Sequence, residues 1–227
     1  ITDRLTNFGY KSNKTGFSVG SGFQFYDDLY WNTGVSSYVE KLETDNTASA
    51  SMKKQEGSYF DTFFNHTLSY DKRNQRYKTS DGYISRFTQN VPLISESYTL
   101  INSYDYKIYN EWLDENVFSI GFFGKTSNSL AGKDIKLSDR LYLPASKLRG
   151  FESGKVGPKD GADFIGGNYA TSINIATSLS QILPNSQNTN FSIFFDAANV
   201  WGIDYSSSLS DESKIRSSIG IALDYLT

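Results

Sequence analysis

Few side chains in these 227 residues could do chemistry, and they are poorly spaced for it. Cysteine is absent, which removes thiolate metal sites, nucleophilic thiols and disulfides together. His66 is the single histidine and has no second ligand or base partner in a useful pattern. Acidic pairs occur at Asp27-Asp28, Asp114-Glu115 and Asp211-Glu212, each in a turn-like stretch. Carboxylate catalysis needs two such groups facing one another across a cleft, so solvated turns are the better reading. Asn13-Lys14-Thr15, Asn65-His66-Thr67 and Asn190-Phe191-Ser192 match a glycosylation acceptor pattern, but the last two fall inside predicted strands and read as chance. Gly20 and Gly22, like Gly166 and Gly167, lack the context of a phosphate-binding loop; close packing or a bend at a strand start explains them. No catalytic residue, metal ligand set or cofactor is expected, and the chain reads as a non-enzyme.

The elements that would position any site are strands. Tyr and Phe number 16 each, aromatics reach 15%, and Gly numbers 18, a composition suited to pleated strands and tight turns. The dominant hydrophobic period is two. Phe17, Val19, Ser21, Phe23 and Phe25 alternate with Ser18, Gly20, Gly22 and Gln24. The same alternation marks Phe60–Tyr70, Leu100–Ile108, Phe118–Phe123, Tyr169–Leu179, Phe191–Trp201 and Ile215–Tyr225, with Leu29–Glu43 and Gly82–Val91 as weaker members. About nine strands are predicted, plus a stub near residues 1–9, most of them roughly 10–13 residues long. Strands of soluble proteins centre near 5–6 residues, whereas a membrane strand tilted about 45° needs about 9–11.

Length therefore favours a transmembrane antiparallel β-barrel. The mean hydropathy of −0.46 does not oppose it, because a barrel shows lipid only alternate residues. Tyr30, Trp31, Tyr109, Trp112, Trp201 and Tyr225 near strand ends suit interfacial aromatic girdles. The net charge of −3 gives no sign of nucleic-acid binding. Connections at Asp27-Asp28, Pro92–Ser97, Asn110–Glu115 and Gln181–Thr189 read as short or moderate. Leu42–Gly57 and Ile203–Ser213 are longer, and a loop over about 126–166 is far longer than a compact sheet requires. No signal peptide opens the chain, and Ile1-Thr2-Asp3-Arg4 reads like the middle of a longer protein.

The long loop contains Leu148-Arg149-Gly150-Phe151. Gly166-Gly167-Asn168 opens the next strand, and the strand after it reads Phe194-Phe195-Asp196-Ala197-Ala198-Asn199-Val200-Trp201. In that order these motifs resemble the BamA family of outer-membrane assembly factors, with its Arg-Gly-Phe loop and its aromatic-Asp strand. Ser69–Asn74 with Thr79–Gly82 looks like the family's Asp-rich inner turn, Gly154–Pro158 like the segment after the loop signature, and Arg216–Tyr225 like the third strand from the barrel's end. The resemblance covers roughly residues 60–226. It implies one domain over 1–227, a partial barrel of roughly sixteen strands when whole, with the periplasmic POTRA domains, the first strands and the last two strands outside it. It differs from the family at Ala176, where an inward Glu is frequent.

Alternation places Phe191, Ile193 and Phe195 outward and Ser192, Phe194, Asp196 and Ala198 toward the lumen. An inward, shielded carboxylate requires a partner. On a loop folded back as in the family, Arg149 can supply a bidentate guanidinium, with Gly150 allowing close backbone approach and Phe151 anchoring against the inner wall. Gly166, Gly167, Asn199 and Trp201 are the structural residues of the same motif set. The resemblance further implies insertion of client β-barrels into the outer membrane of a Gram-negative bacterium. It implies as partners those clients, periplasmic lipoprotein subunits of an assembly complex and the lipid bilayer, with no nucleic acid. A two-partner-secretion or TamA-like translocation barrel, a plain porin and a soluble β-sandwich are the rival readings. Open edges and an exposed apolar belt lead to the expectation that the fragment aggregates without detergent or further strands.

Overall fold

A computed structural model describes residues 2–3, 9–113, 116–179, 189–204, 209 and 213–225. Nine long strands run from β2 (Tyr10–Tyr26) through β3 (Leu29–Thr44), β4 (Gly57–Asp71), β5 (Gly82–Ser95), β6 (Thr99–Leu113) and β7 (Asn116–Ser129) to β10 (Tyr169–Ser178), β11 (Thr189–Trp201) and β12 (Arg216–Tyr225). The short β1 (Thr2–Asp3) joins them at one edge, where Thr2 pairs with Asn13 and Asp3 with Ser12. All ten form one sheet in the order β1-β2-β3-β4-β5-β6-β7-β10-β11-β12, antiparallel throughout. This is the partial all-β barrel wall that the alternating pattern predicts. A small hairpin, β8 (Lys159–Asp160) with β9 (Asp163–Phe164), and a one-turn helix α1 (Ala50–Lys53) lie in the connections.

The strands are longer than the sequence pattern suggested, up to 17 residues in β2. Pro92 shows why. It reads as the start of a turn, yet β5 continues through it to Ser95. The register between β4 and β5 shifts at Thr62/Phe63, and the β5–β6 ladder ends before it, at Asn90 and Ile101. A bulge beside a one-sided stretch is where a residue without an N–H can sit in a strand. The turn is therefore Glu96 to Tyr98, shorter than expected. The acidic pairs Asp114-Glu115 and Asp211-Glu212 lie outside the described residues, as does most of the Gln181–Thr189 connection.

Alternation gives the sheet its two faces. Phe17, Val19, Ile193, Phe195, Ile219, Ile221 and Leu223 are exposed on the outer one. That face is not uniformly apolar. One cross-strand register row runs Ser21, Thr33, His66, Gln89, Asn102, Thr126, Tyr169, Trp201. Its polar members bond to one another. His66 Nε2 meets Gln89 Oε1 at 3.2 Å, Gln89 Nε2 donates to Asn102 Oδ1 at 2.6 Å, and Asn102 Nδ2 donates to Thr126 Oγ1 at 3.3 Å. His66 thus faces outward, as alternation requires, with an amide for a partner.

On the inner face the long connection fills the space. It runs from Leu130 to Asn168, between β7 and β10, and holds 3₁₀ turns at Leu137–Asp139 and Ala145–Lys147. Its Leu141, Leu143, Leu148 and Val156 pack against Phe123 of β7, Ala170 of β10, and Ala198 and Val200 of β11. Its Leu137 and Ile165 pack against Tyr10 of β2, Leu42 of β3, and Ala48 and Met52. At this level the inner face is covered by packed loop side chains rather than left open.

Candidate functional site: the loop tip and its wall

Ser192, Phe194, Asp196 and Ala198 are all buried, whereas Ile193 and Phe195 on the same strand are exposed. The pleat alone therefore aims Asp196 at the loop. Arg149 arrives from the turn Ala145–Lys147. Its Nε donates to Asp196 Oδ2 at 2.8 Å, and its Nη2 to Oδ1 at 2.7 Å. The Arg149 backbone N–H adds a third bond to Oδ2 at 3.0 Å. The planar fork matches the carboxylate on both oxygens, which a lysine could not do. The guanidinium also lies over the Phe194 ring, 3.7 Å from its centroid.

The rest of the motif divides into residues that do what their type suggests and residues that do something else. Leu148 is buried in the loop core. Phe151 is not an anchor: it is 37% exposed, and Leu148 fills the apolar place expected for it. Gly150 is required for a reason other than close approach. A Cβ there would stand 3.8 Å from Ser218 Cβ, an ordinary contact, but its φ of 84° is left-handed. Gly167 is the close-approach glycine. A Cβ on it would meet Trp201 O at 2.5 Å, while its backbone bridges to Leu141 at 2.8 and 3.0 Å. Gly166 makes the bend before it. Asn199 donates to Ser213 Oγ at 3.0 Å, and Trp201 stacks on Tyr169 at 5.6 Å.

Asn174 was missed by sequence reasoning. It sits opposite Asp196 in the β10–β11 register and donates to Asp196 Oδ1 at 2.8 Å and to Lys147 O at 3.0 Å. The signal was present, since alternation puts Asn174 on the inward face. Lys147 was also missed, and its Nζ meets Asp105 of β6 at 2.7 Å.

A second charged cluster, also missed, surrounds Lys136. Its Nζ lies 2.6 Å from Asp61 Oδ2, 2.7 Å from Glu40 Oε2 and 3.8 Å from Asp139 Oδ2, all buried. Burial alone would favour the neutral amine. The charges of Asp139, Glu40 and Asp61 outweigh it and hold the Lys136 pKa above its ordinary value. The Asp139 pKa is also held above its ordinary value, because burial pushes its carboxyl up against the pull of Lys136.

The family model for the Omp85 superfamily domain matches residues 2–227. The chain belongs to the Omp85 superfamily. This Omp85 domain also matches, in fold, the crystal structure of BamA from Haemophilus ducreyi lacking POTRA domains 1–3, with a TM-score of 0.78 at 21% identity. The match covers 95% of this chain and 48% of that one, so the chain spans about half the length of the structure it resembles. A comparison with curated proteins returned no match. The outer-membrane β-barrel expected from the motif order is thereby the architecture of an Omp85 domain. Ala176, which sits between Ser119 and Phe194 in register, brings no carboxylate to the wall. Asp196 is the carboxylate that meets Arg149, and Asn174 holds it from the β10 side.

Proposed function

We propose that this Omp85 domain is the wall and inner loop of a barrel that inserts and folds client β-barrels in a Gram-negative outer membrane. The loop tip held on Asp196 by Arg149 is the observation that carries the reading. A loop packed against the inner wall fills the bore with protein, which suits a porin poorly. The useful surface then lies at strand edges, where an incoming strand can pair by β-augmentation. In this reading Arg149, Gly150 and Leu148 pin the loop, Asp196 and Asn174 receive it, and Gly166, Gly167, Asn199 and Trp201 shape its exit into β10 and the end of β11. The partners are client barrels, periplasmic lipoprotein subunits of an assembly complex, and the bilayer. The driving force is client folding and needs no cofactor.

The test is reconstitution of the whole protein into liposomes with an unfolded client barrel. Acquisition of the heat-resistant, fast-migrating form of the client on gels gives the rate. The expected result is acceleration over protein-free liposomes, diminished by Arg149→Ala. A folded barrel that leaves the client rate unchanged would sink the assembly role.

A further inference from the structure

Two of the loop's charged contacts with the wall lie far apart in the sheet, with Lys147 on Asp105 of β6 between them. One is Asp196 on β11. The other is formed by Glu40 on β3 and Asp61 on β4, separated from β11 by β5, β6, β7 and β10. From β4 to β11 the wall takes five interstrand steps, about 24 Å at about 4.8 Å each. Thirteen residues of loop (149 − 136 = 13) join the two places. Fully extended they would reach about 43 Å, so the segment crosses with slack, part of which the turn Ala145–Lys147 takes up.

We propose that Lys136 is a second anchor, independent of Arg149, so that the loop is a strap fastened to both flanks of the wall and fixes the span between β3–β4 and β10–β11. The wall is prepared for a cation there. Glu40 already accepts the Ser12 hydroxyl, and Asp61 accepts that of Ser95 at 2.6 Å. Lys14 of β2 stands 3.8 Å from Glu40 Oε1, and Lys136 supplies a buried, closer charge to both carboxylates. The ammonium also lies 5.0 Å from the Tyr59 ring centroid.

The neighbouring backbone is held as tightly. The Leu137 N–H donates to Gln55 Oε1 at 2.8 Å, Tyr10 OH donates to Leu137 O at 3.1 Å, and the Ser138 hydroxyl donates to Glu40 Oε2 at 3.0 Å. A solvated surface pair would have none of this. Lys136 is a positioning residue: it acts by where it holds the loop. A strap fastened at both flanks has a property that a loop pinned at one end lacks, namely that loss of Lys136 frees the first limb while Arg149 and Lys147 keep the second in place. The inference concerns how the loop is held and stands apart from what the barrel does to its clients.

These 227 residues have no cysteine, so none has to be removed from the wall or the loop before paired labels are introduced there. In the whole protein in detergent or outer-membrane vesicles, spin labels at Ala131 and Ser58 report on the first limb, and labels at Ser146 and Lys107 on the second. Each pair should give one narrow distance by pulsed electron resonance. Lys136→Met should broaden the first distance and leave the second narrow, Arg149→Ala combined with Lys147→Ala should do the reverse, and Lys136→Arg should restore the first. Lys136→Met leaves Asp61 buried without its close cation and Glu40 with Lys14 alone, and can block folding. The triple variant Lys136→Met, Glu40→Gln, Asp61→Asn removes that charge problem and should show the same loss in the first limb alone. The proposal is overturned by a first-limb distance that stays narrow in the triple variant. Loosening of both limbs together under either substitution, or a triple variant unable to fold, also overturns it.

Discussion

The guanidinium of Arg149 is held edge-on by the carboxylate of Asp196 and face-on by the ring of Phe194, two residues apart on the same inward face of β11. The two contacts reinforce each other. The ring occupies the face that water would otherwise hydrate, and the carboxylate fixes the plane of the fork.

A double-mutant cycle on Arg149→Ala and Asp196→Ala should therefore show strong coupling. Asp196 is buried, but the Arg149 side chain is 30% exposed, which screens part of the pair. A coupling of about 1.5–3 kcal/mol is expected for charged hydrogen bonds of this kind. Asp196→Asn should recover little, because it turns one acceptor into a donor facing Arg149. The measurement is the midpoint of heat-modifiable unfolding in detergent, and additive single effects would remove the pairing argument.

Gly150 and Gly167 should fail differently. Gly150→Ala places a Cβ in ordinary contact with Ser218 but at a left-handed φ, with a cost of about 1–2 kcal/mol. Gly167→Ala drives a Cβ into Trp201 O, so the bridge to Leu141 or the end of β11 must move. Limited proteolysis of the loop should rise slightly in the first variant and sharply in the second. Equal protection in both would contradict the geometry.

The outward polar row should behave as a set. Gln89→Leu breaks its middle and leaves His66 and Asn102 without their partner in an apolar setting, at a cost of about 1–3 kcal/mol. Replacing His66, Gln89 and Asn102 together with apolar residues should restore most of the loss, since no group is then left unmatched. Thermal unfolding in detergent and in lipid reads both variants, and a triple replacement worse than the single one would show that the row does more than satisfy itself.

The pH response of the Lys136 cluster follows from two raised pKa values of opposite meaning. For Lys136 the folded value lies above the ordinary 10.5, so its stabilisation is complete below that pH and is lost as pH rises through the folded value. For Asp139 the folded value lies above the ordinary 3.8. Protonation is favoured by folding, and that favour is lost as pH rises through the folded value. Its Oδ2 is buried without a hydrogen bond. Asp139→Asn should accordingly stabilise the barrel at neutral pH, with the advantage shrinking toward pH 3.8. Unfolding midpoints across pH, compared between the two forms, check the sign, and a destabilised Asp139→Asn at neutral pH would reverse it.

Strand identity and facing were legible in the sequence because a pleat converts every second residue into one face, and that rule is local. Phe191 to Ala198 could be sorted into outward and inward members without knowing any neighbour. Asp196 was found in this way, and Arg149 by motif order. The rest depended on distance in space. Phe151 could not be told from Leu148 as the buried residue of the loop, since a loop has no period. Asn174 required the β10–β11 register. The outward row from Ser21 to Trp201 required the registers of all the strands between them, and polar residues scattered along separate strands carry no mark of lying side by side. Lys136 was the least visible: a lysine in a long loop looks solvated until the fold brings Glu40 and Asp61, about 75–96 positions earlier in the chain, to within a hydrogen bond of it. The alternation of side chains determined the wall, and only tertiary structure decided where the loop was fastened to it, because burial and pairing of charge depend on which distant groups share the same few ångströms.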